Sequence, residues 1–420
     1  MELFVACIFL VALAMIALDW GDKTKIALAA ASVVVVAGAI DADGAVEAVD
    51  WPTLGLLAGM MIVVGLAQPT GLFDWLGLHV VRASRGRPVV LLFLLAALTG
   101  GLSALLDNLT AILLVVPVAL TVADRLDVSP IPLVLTQVIA SNVGGTATLI
   151  GDPPNILIAG HVEELSFLDF IVNLAPVAIF TLVVVTSLLA LLFRNSLRVD
   201  PARAARLDDL DPSAELRGEP RRRMLVFAVL LGTVLAFFLH TALHLEPVVV
   251  ALVGATAMLL VTDIEIEDAL HSVEWATLFF FLALFVVVGA LEEQGTIARV
   301  AEQIGDLTGG SRTAESLVIL WGAATGSAFV DNIPFTAAMI PVVDEIQGDG
   351  FDDTLWWSLS LGACFGGNAT LIAAAANVAG TGLLKRAGHP VSFGRFLAVG
   401  LPVTVLSLVI ATGYLLLFQL

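Results

Sequence analysis

Apolar and polar positions fall in blocks along this chain, and the blocks come in two matching sets. Apolar segments lie at about 3–18, 26–40, 54–67, 88–106, 109–123, 131–160 and 171–193. A second set follows at about 224–240, 247–262, 276–291, 314–330, 333–346, 355–384 and 396–418. Between the sets, 194–223 carries eight arginines together with Pro201, Pro212, Gly218 and Pro220, and reads as a connector too short for a domain. The stretches 72–82 and 297–307 have the one-sided polarity of helices lying along an interface and match each other across the two sets. The pattern predicts an all-α polytopic membrane protein with a first repeat over 1–193, a connector over 194–223 and a second repeat over 224–420.

Counting sides constrains the path. Suppose segments four and five of each set form a hairpin, 88–123 and 314–346, that returns to the side it entered. Each repeat then has five spans, and this odd number inverts one repeat relative to the other. The hairpin arms, about 27 and 22 Å at 1.5 Å per residue, fit either a full crossing or a return midway. The tip Leu106-Asp107-Asn108-Leu109 has no Gly, no Pro and no run of loop residues, which favours a re-entrant turn. With the connector in the cytoplasm, 17 of the 19 Lys and Arg face inward and only Arg299 and Arg312 outward, as the positive-inside rule requires. Both termini are then expected outside, in an inner (cell) membrane. The first apolar run lacks the positive leader of a signal peptide and is expected to be a retained span. The same count places every basic residue, Lys23 included, in a loop.

The second signal is chemical. Gly144-Gly145-Thr146-Ala147-Thr148-Leu149-Ile150 returns as Gly366-Gly367-Asn368-Ala369-Thr370-Leu371-Ile372, six of seven identical, and Asp107-Asn108 returns as Asp331-Asn332, 224 positions on. A helix cannot run smoothly through Gly144-Gly145 and then Pro153-Pro154, so this segment is expected to break inside the membrane and free backbone groups there. Hydrocarbon tolerates such a break only where protein or a polar cavity surrounds it. Freed carbonyls with Asn and Thr side chains make an oxygen-rich nest suited to a small hard cation such as Na⁺. The candidate ion- or substrate-binding residues are Asp107, Asn108, Thr110, Asn142, Thr146, Thr148, Asp152 and Asn155, with Asp331, Asn332, Thr336, Asn368, Thr370 and Asn377 from the second repeat. Asn108, Asn142, Asn332 and Asn368 are the candidate Na⁺ ligands.

Simpler roles compete. Asp107 or Asn108 can cap the following arm. Asp152 can cap the half-helix opened by the prolines, but its counterpart is Ala374, so the break does not require an acid there. An ionised Asp at mid-membrane costs on the order of 2.5–3.5 kcal/mol. With no basic side chain expected nearby, the buried acids must hold protons or bind a cation.

Composition agrees. The 420 residues are 59% hydrophobic and 14% charged, outside soluble usage. The net charge of −19 sits mostly in loops such as Asp41-Ala42-Asp43, and nothing points to nucleic acid. Cys7 and Cys364 lie in apolar runs, giving no disulfide framework or zinc site, and Cys364 reads as a small core residue. The histidines look peripheral, and Trp51, Trp75, Trp275, Trp356 and Trp357 are placed as an interfacial belt. No cofactor is expected beyond Na⁺ or H⁺ as coupling ion.

The run from Ala140 to Asn155, with its Gly-Asp-Pro-Pro-Asn ending, and the run from Gly366 to Asn377 resemble the ArsB/P-protein family. That family takes in arsenite permeases, the P protein and NhaD-type antiporters, within the superfamily of the sodium/dicarboxylate symporters. The resemblance implies a homodimer with a scaffold and a mobile portion that moves elevator-fashion. It also implies one site at Asp107, Asn108, Asn142, Asp152 and Asn155, and a pseudo-symmetric one at Asp331, Asn332, Asn368 and Asn377. Dicarboxylate symporters usually carry Ser-Asn-Thr at the hairpin tips, where this chain has Asp-Asn.

The expected function is secondary transport across the lipid bilayer coupled to H⁺ or Na⁺, not enzymatic catalysis. Arsenite or antimonite leads as cargo, since a neutral hydroxide suits acids without bases. Sodium/proton antiport and transport of an organic anion such as a dicarboxylate are the alternatives. An intramembrane aspartyl protease would need Gly where Leu149 stands before Ile150-Gly151-Asp152.

Overall fold

The computed structural model describes residues 1–18, 20–197, 211–348 and 350–420. Position 19, positions 198–210 of the connector and position 349 therefore lie outside the described residues. Among those described, the chain is helical, with two sets of ten α-helices and no strand. The first set is α1 (Glu2–Ala17), α2 (Lys23–Val36), α3 (Ala42–Glu47), α4 (Trp51–Ala67), α5 (Leu72–Ala83), α6 (Pro88–Ser103), α7 (Asn108–Leu126), α8 (Ile131–Gly145), α9 (Pro153–His161) and α10 (Phe167–Leu192). The second is α11 (Pro220–Leu243), α12 (Pro247–Val261), α13 (Ile266–His271), α14 (Trp275–Glu293), α15 (Thr296–Thr308), α16 (Arg312–Phe329), α17 (Asn332–Gln347), α18 (Asp353–Gly366), α19 (Ala375–Arg386) and α20 (Phe393–Phe418).

Local chemistry sets the helix starts. Pro88, Pro153, Pro220 and Pro247 occupy first helical positions, where their fixed φ is already helical and no N–H is missed. The side chains of Asp22, Asp50, Asp107, Ser166, Asp331 and Asp352 each accept from a free N–H at the start of their helix. Prolines recur in register inside matched helices: Pro117 in α7 and Pro341 in α17, Pro176 in α10 and Pro402 in α20.

Packing repeats as the helices do. Helix α6 packs on α8 as α16 does on α18, and α10 on α8 as α20 does on α18. Other pairs cross between the halves: α2 lies on α14 and α12 on α4, while α7 lies on α19 and α17 on α9. One group of helices thus forms around α2, α4, α12 and α14, and another around α6–α10 and α16–α20. Among the described residues, six helices are long and apolar enough to cross a membrane: α4 with its trailing turn, α7, α10, α11, α14 and α20. Leu231, Leu235 and Leu239 on α11 and Leu401, Val405 and Val409 on α20 are exposed four residues apart, an apolar stripe fit for lipid.

Two expectations need correcting. Trp356 and Trp357 do not belong to an interfacial belt: both are fully buried in α18, where Trp356 Nε1 donates to Gln347 Oε1 (2.8 Å) and Trp357 stacks edge-on against Phe170. Every residue of α8 is buried, and likewise α18 from Thr354 onward, because other helices surround both. Trp51 and Trp275 do remain exposed at the starts of α4 and α14. His240 is also less peripheral than its loop position suggests, since its Nε2 accepts from the first backbone N–H of α10 (3.0 Å).

Helices α6 and α8 touch at glycine. A Cβ on Gly144 would land on the Gly100 backbone, and one on Gly366 would come 2.6 Å from Ala324 O. We expect Gly144→Ala to cost at least about 1–3 kcal/mol, read as lost folded yield and a lower melting midpoint in detergent. An unchanged midpoint would show that the contact is dispensable.

Candidate functional site

Both breaks follow the repeated glycines, and prolines open the continuing helix only in the first. Helix α8 ends at Gly145 and α9 starts at Pro153; α18 ends at Gly366 and α19 starts at Ala375. Two asparagines rebuild what the breaks leave open. Asn155 Nδ2 donates to the carbonyls of Thr146 (3.0 Å) and Thr148 (2.8 Å); Asn377 Nδ2 donates to those of Gly367 and Thr370 (2.7 Å each). Asn155 also accepts from Ser360 Oγ (2.5 Å), which ties the first break to the opposite half.

The threonines serve the backbone. Thr148 donates to Ala104 O, and Thr370 to Ala328 O, fastening each break to its hairpin. Thr146 donates to Asn142 O and Thr336 to Asn332 O, within or at the end of their own helices. The Thr110 hydroxyl and amide both turn to Asp107.

What the structure brings together is one cluster rather than two separate sites. Asn108 Nδ2 donates to Asn142 Oδ1 and to Asp152 Oδ1, 3.3 Å in each case. Asn332 Nδ2, from the second hairpin, reaches the same Asp152 oxygen at 3.2 Å. Asn142 Nδ2 donates across the halves to Asn368 Oδ1 and Asn377 Oδ1, both 3.0 Å. The halves merge because the hairpin tips meet the breaks: Asn332 N also donates to Ala373 O (3.2 Å).

Asp152 is the singular member. It is fully buried, sits at the N-cap of α9, and gives that helix no side-chain cap. The capping role open to it in the sequence is therefore not the one it takes. Its Oδ1 accepts from two amides, while Oδ2 has no hydrogen-bond partner among the described residues, nor does Asn368 Nδ2. The Cys364 thiol lies against Asp152, Thr146 and Ser360, so this cysteine borders the cluster and is more than core filling.

A cavity of about 210 Å³ opens beside the cluster. Its wall includes Asp107, Asn108 and Asn332 from the hairpin tips, Pro153 and Ala375 from the breaks, and Met60 and Met61 from α4. Asp107 caps α7 through Thr110 N (2.7 Å), as the simpler reading allowed, and still faces the cavity.

Lys23 and Glu274 were not among the expected site residues, yet both line this cavity. Lys23 Nζ pairs with Asp331 Oδ2 at 3.0 Å and lies 5.2 Å from the Phe280 ring centroid. The expectation that no base reaches the buried acids is therefore wrong. Lys23 is the first residue of α2, and its long stem carries the ammonium from the helix end into the cavity. The sequence signal was faint: a lysine and a glutamate, each at the start of an apolar segment, in loops assigned to the same side.

Comparison with known proteins agrees with this architecture. The profile of the citrate transporter family (CitMHS) matches residues 13–362. An uncharacterised transporter of Mycobacterium tuberculosis is 39% identical over 424 residues, covering 99% of this chain and 98% of the relative. The P protein of Mus musculus is 34% identical over 450 residues, covering 88% of this chain and 54% of that longer protein. Among solved structures, the Alcanivorax borkumensis YdaH transporter aligns over 99% of this chain and 97% of its own, with a TM-score of 0.59 at 16% identity, a likeness of fold.

Proposed function

We propose, from the premise that this chain belongs to the citrate transporter family and is a membrane transporter, that it drives a small solute across the bilayer by coupling to Na⁺ or H⁺ at Asp152, Asp107 and Asp331. One observation carries the reading: the buried Asp152 carboxylate, held on one oxygen by an amide from each hairpin and without a hydrogen-bond partner on the other among the described residues. A charge in that place is stable only with a cation or a proton beside it. Because Asn108 and Asn332 both grip it, an ion bound there tightens the two hairpins together.

Several features support an elevator-type cycle between inverted repeats. Both hairpin tips meet helix breaks rather than a helix end, which favours re-entrant hairpins with their tips at mid-membrane. The contacts joining the two helix groups are unequal: α9 packs on α4 and α17 on α14, while the counterpart pairs, α19 with α14 and α7 with α4, are marginal at most. Inverted repeats in one state leave such an imbalance, and exchanging it gives the opposite-facing state. In the orientation set by the basic residues, Lys23 and Glu274 lie toward the cytoplasm, so the cavity faces inward. The homodimer implied by the resemblance belongs to the same proposal.

A small organic anion carried together with cations is the cargo the cavity suits best. Its volume of about 210 Å³ is the share of about seven water molecules at roughly 30 Å³ each, more than a bare ion needs. The Lys23 ammonium and the second hydrogen of the Asn332 amide are donors for a carboxylate, and Asp107, Glu274 and Asp331 require that cations accompany it. Those same acids favour sodium/proton exchange as the second reading. Arsenite loses its ground, which was a site without bases.

The test is uptake into proteoliposomes of citrate, a dicarboxylate, Na⁺ and arsenite under imposed Na⁺ and pH gradients. Asp107→Asn and Asp331→Asn are expected to lose the gradient dependence while remaining folded. Wild-type coupling in both variants would remove those acids from the mechanism.

A further inference from the structure

The ion pair between Lys23 and Asp331 does more than hold two helices together. The partners lie 308 residues apart and join α2, which belongs to the helix group around α4 and α14, to the tip of the second hairpin. Asp331 divides its oxygens: Oδ1 accepts from Ile333 N (3.2 Å) and Oδ2 takes the ammonium. The Lys23 side chain is still 35% exposed and lines the cavity, where solutes can reach it, while the Asp331 side chain is 9% exposed. Asp22 and Glu274 are the other acids near Lys23.

The repeat gives this pair no twin. Asp331 corresponds to Asp107, and Lys23, the first residue of α2 after Asp22, corresponds to Pro247, the first residue of α12 after Glu246. Asp107 has no ion-pair partner among the described residues. One hairpin carboxylate therefore carries a tethered cation and its counterpart does not. Resting on the reading of a cation-coupled carrier, we propose that Lys23 is an exchangeable internal cation: its ammonium occupies the Asp331 carboxylate until a monovalent metal ion takes its place. Displacement frees the ammonium into the cavity beside the Asn108 and Asn332 amides, where it can receive an anionic cargo. Metal ion first, anion second is the order of loading that follows. The tether also biases the resting protein, since it links the two helix groups on one side only.

The chain's three lysines, Lys23, Lys25 and Lys385, make a direct test possible without any flux. Purified full-length protein in nanodiscs is treated at fixed pH with an amine-acylating reagent, and labelling is read by peptide mass spectrometry. NaCl is titrated against choline chloride at constant ionic strength. The Lys23-to-Lys25 labelling ratio is expected to rise about tenfold with Na⁺, the factor that losing a part-buried ion pair of about 1.4 kcal/mol gives. In Asp331→Asn the ratio is expected to be high and independent of Na⁺. A wild-type ratio indifferent to Na⁺ overturns the proposal.

A second arm separates this inference from the wider reading. Na⁺ binding to the nanodisc protein is measured by calorimetry without cargo: Lys23→Gln is expected to bind Na⁺ about tenfold more tightly, since the competitor is gone, and Lys23→Arg to keep the wild-type affinity. If wild-type protein shows coupled uptake in proteoliposomes and Lys23→Gln leaves the Na⁺ affinity unchanged, the tethered-cation role fails and the carrier reading stands. If the wild type shows no coupled uptake of any solute, both fail.

Discussion

Asp152→Asn is expected to abolish ion-coupled uptake while leaving a folded, monodisperse protein. The asparagine carbonyl can accept the same two amides, from Asn108 and Asn332, that Oδ1 accepts now. The fold then loses the difference between a charged and a neutral acceptor, about 1 kcal/mol, plus about 1–3 kcal/mol for the new NH2 placed where Oδ2 has no partner among the described residues. Function loses the one fully buried carboxylate in the cluster. The cost of an ionised Asp at membrane depth, about 2.5–3.5 kcal/mol, sets the ion pairing at stake and corresponds to about a hundredfold or more in coupled rate. Proteoliposome flux under a Na⁺ or pH gradient, with size-exclusion and melting of the same sample, checks both halves of the statement. Uptake with unchanged ion dependence in a folded Asp152→Asn protein would place coupling elsewhere.

The opposite outcome is expected at the third residue of the helix after each break. Asn155→Ala and Asn377→Ala should fail by unfolding rather than by uncoupling. Each amide holds two carbonyls of its break; truncation leaves both unpaired at Asn155 and leaves Gly367 O unpaired at Asn377, where Thr370 O still accepts from Ala373 N. At about 1–3 kcal/mol for each group, either change can consume a large part of a typical net stability of about 5–15 kcal/mol. Each change also strands one donor, Ser360 Oγ or Asn142 Nδ2, and Asn155→Ala is expected to be the worse of the two because Thr370 O, unlike the carbonyls at the first break, keeps a second donor in Ala373 N. Folded yield and melting midpoint in detergent decide it; wild-type melting in both would mean that water or a rearranged loop satisfies those carbonyls.

This contrast between Asp152 and Asn155 was partly legible beforehand. Both stood out in a Gly- and Pro-broken span, and the Ala374 counterpart already separated Asp152 from structural duty, while Asn377 tied Asn155 to a shared role. The Trp356-Trp357 pair shows the limit of such reading. Two tryptophans near the end of an apolar segment resemble an interfacial belt, and only the helices around α18 reveal them as interior. Lys23 was misplaced for a related reason. Its backbone does stand at the start of a helix, where a charge count belongs, but its ammonium lies several bonds away in the cavity.

By itself the chain determined the features that depend on near neighbours: where helices start, where Gly and Pro interrupt them, that the pattern occurs twice, and which residues bear charge within apolar runs. Backbone preference and hydropathy act over a few residues, so they can be read there. The tertiary structure alone decided which side chains meet. It merged two expected sites into one cluster, gave Asp331 an ammonium from 308 residues away, and turned every face of α8 inward. The physical cause is that lipid and protein interior are equally apolar. Hydropathy therefore marks a helix as leaving water without saying whether it faces lipid or another helix, and only packing distinguishes the two.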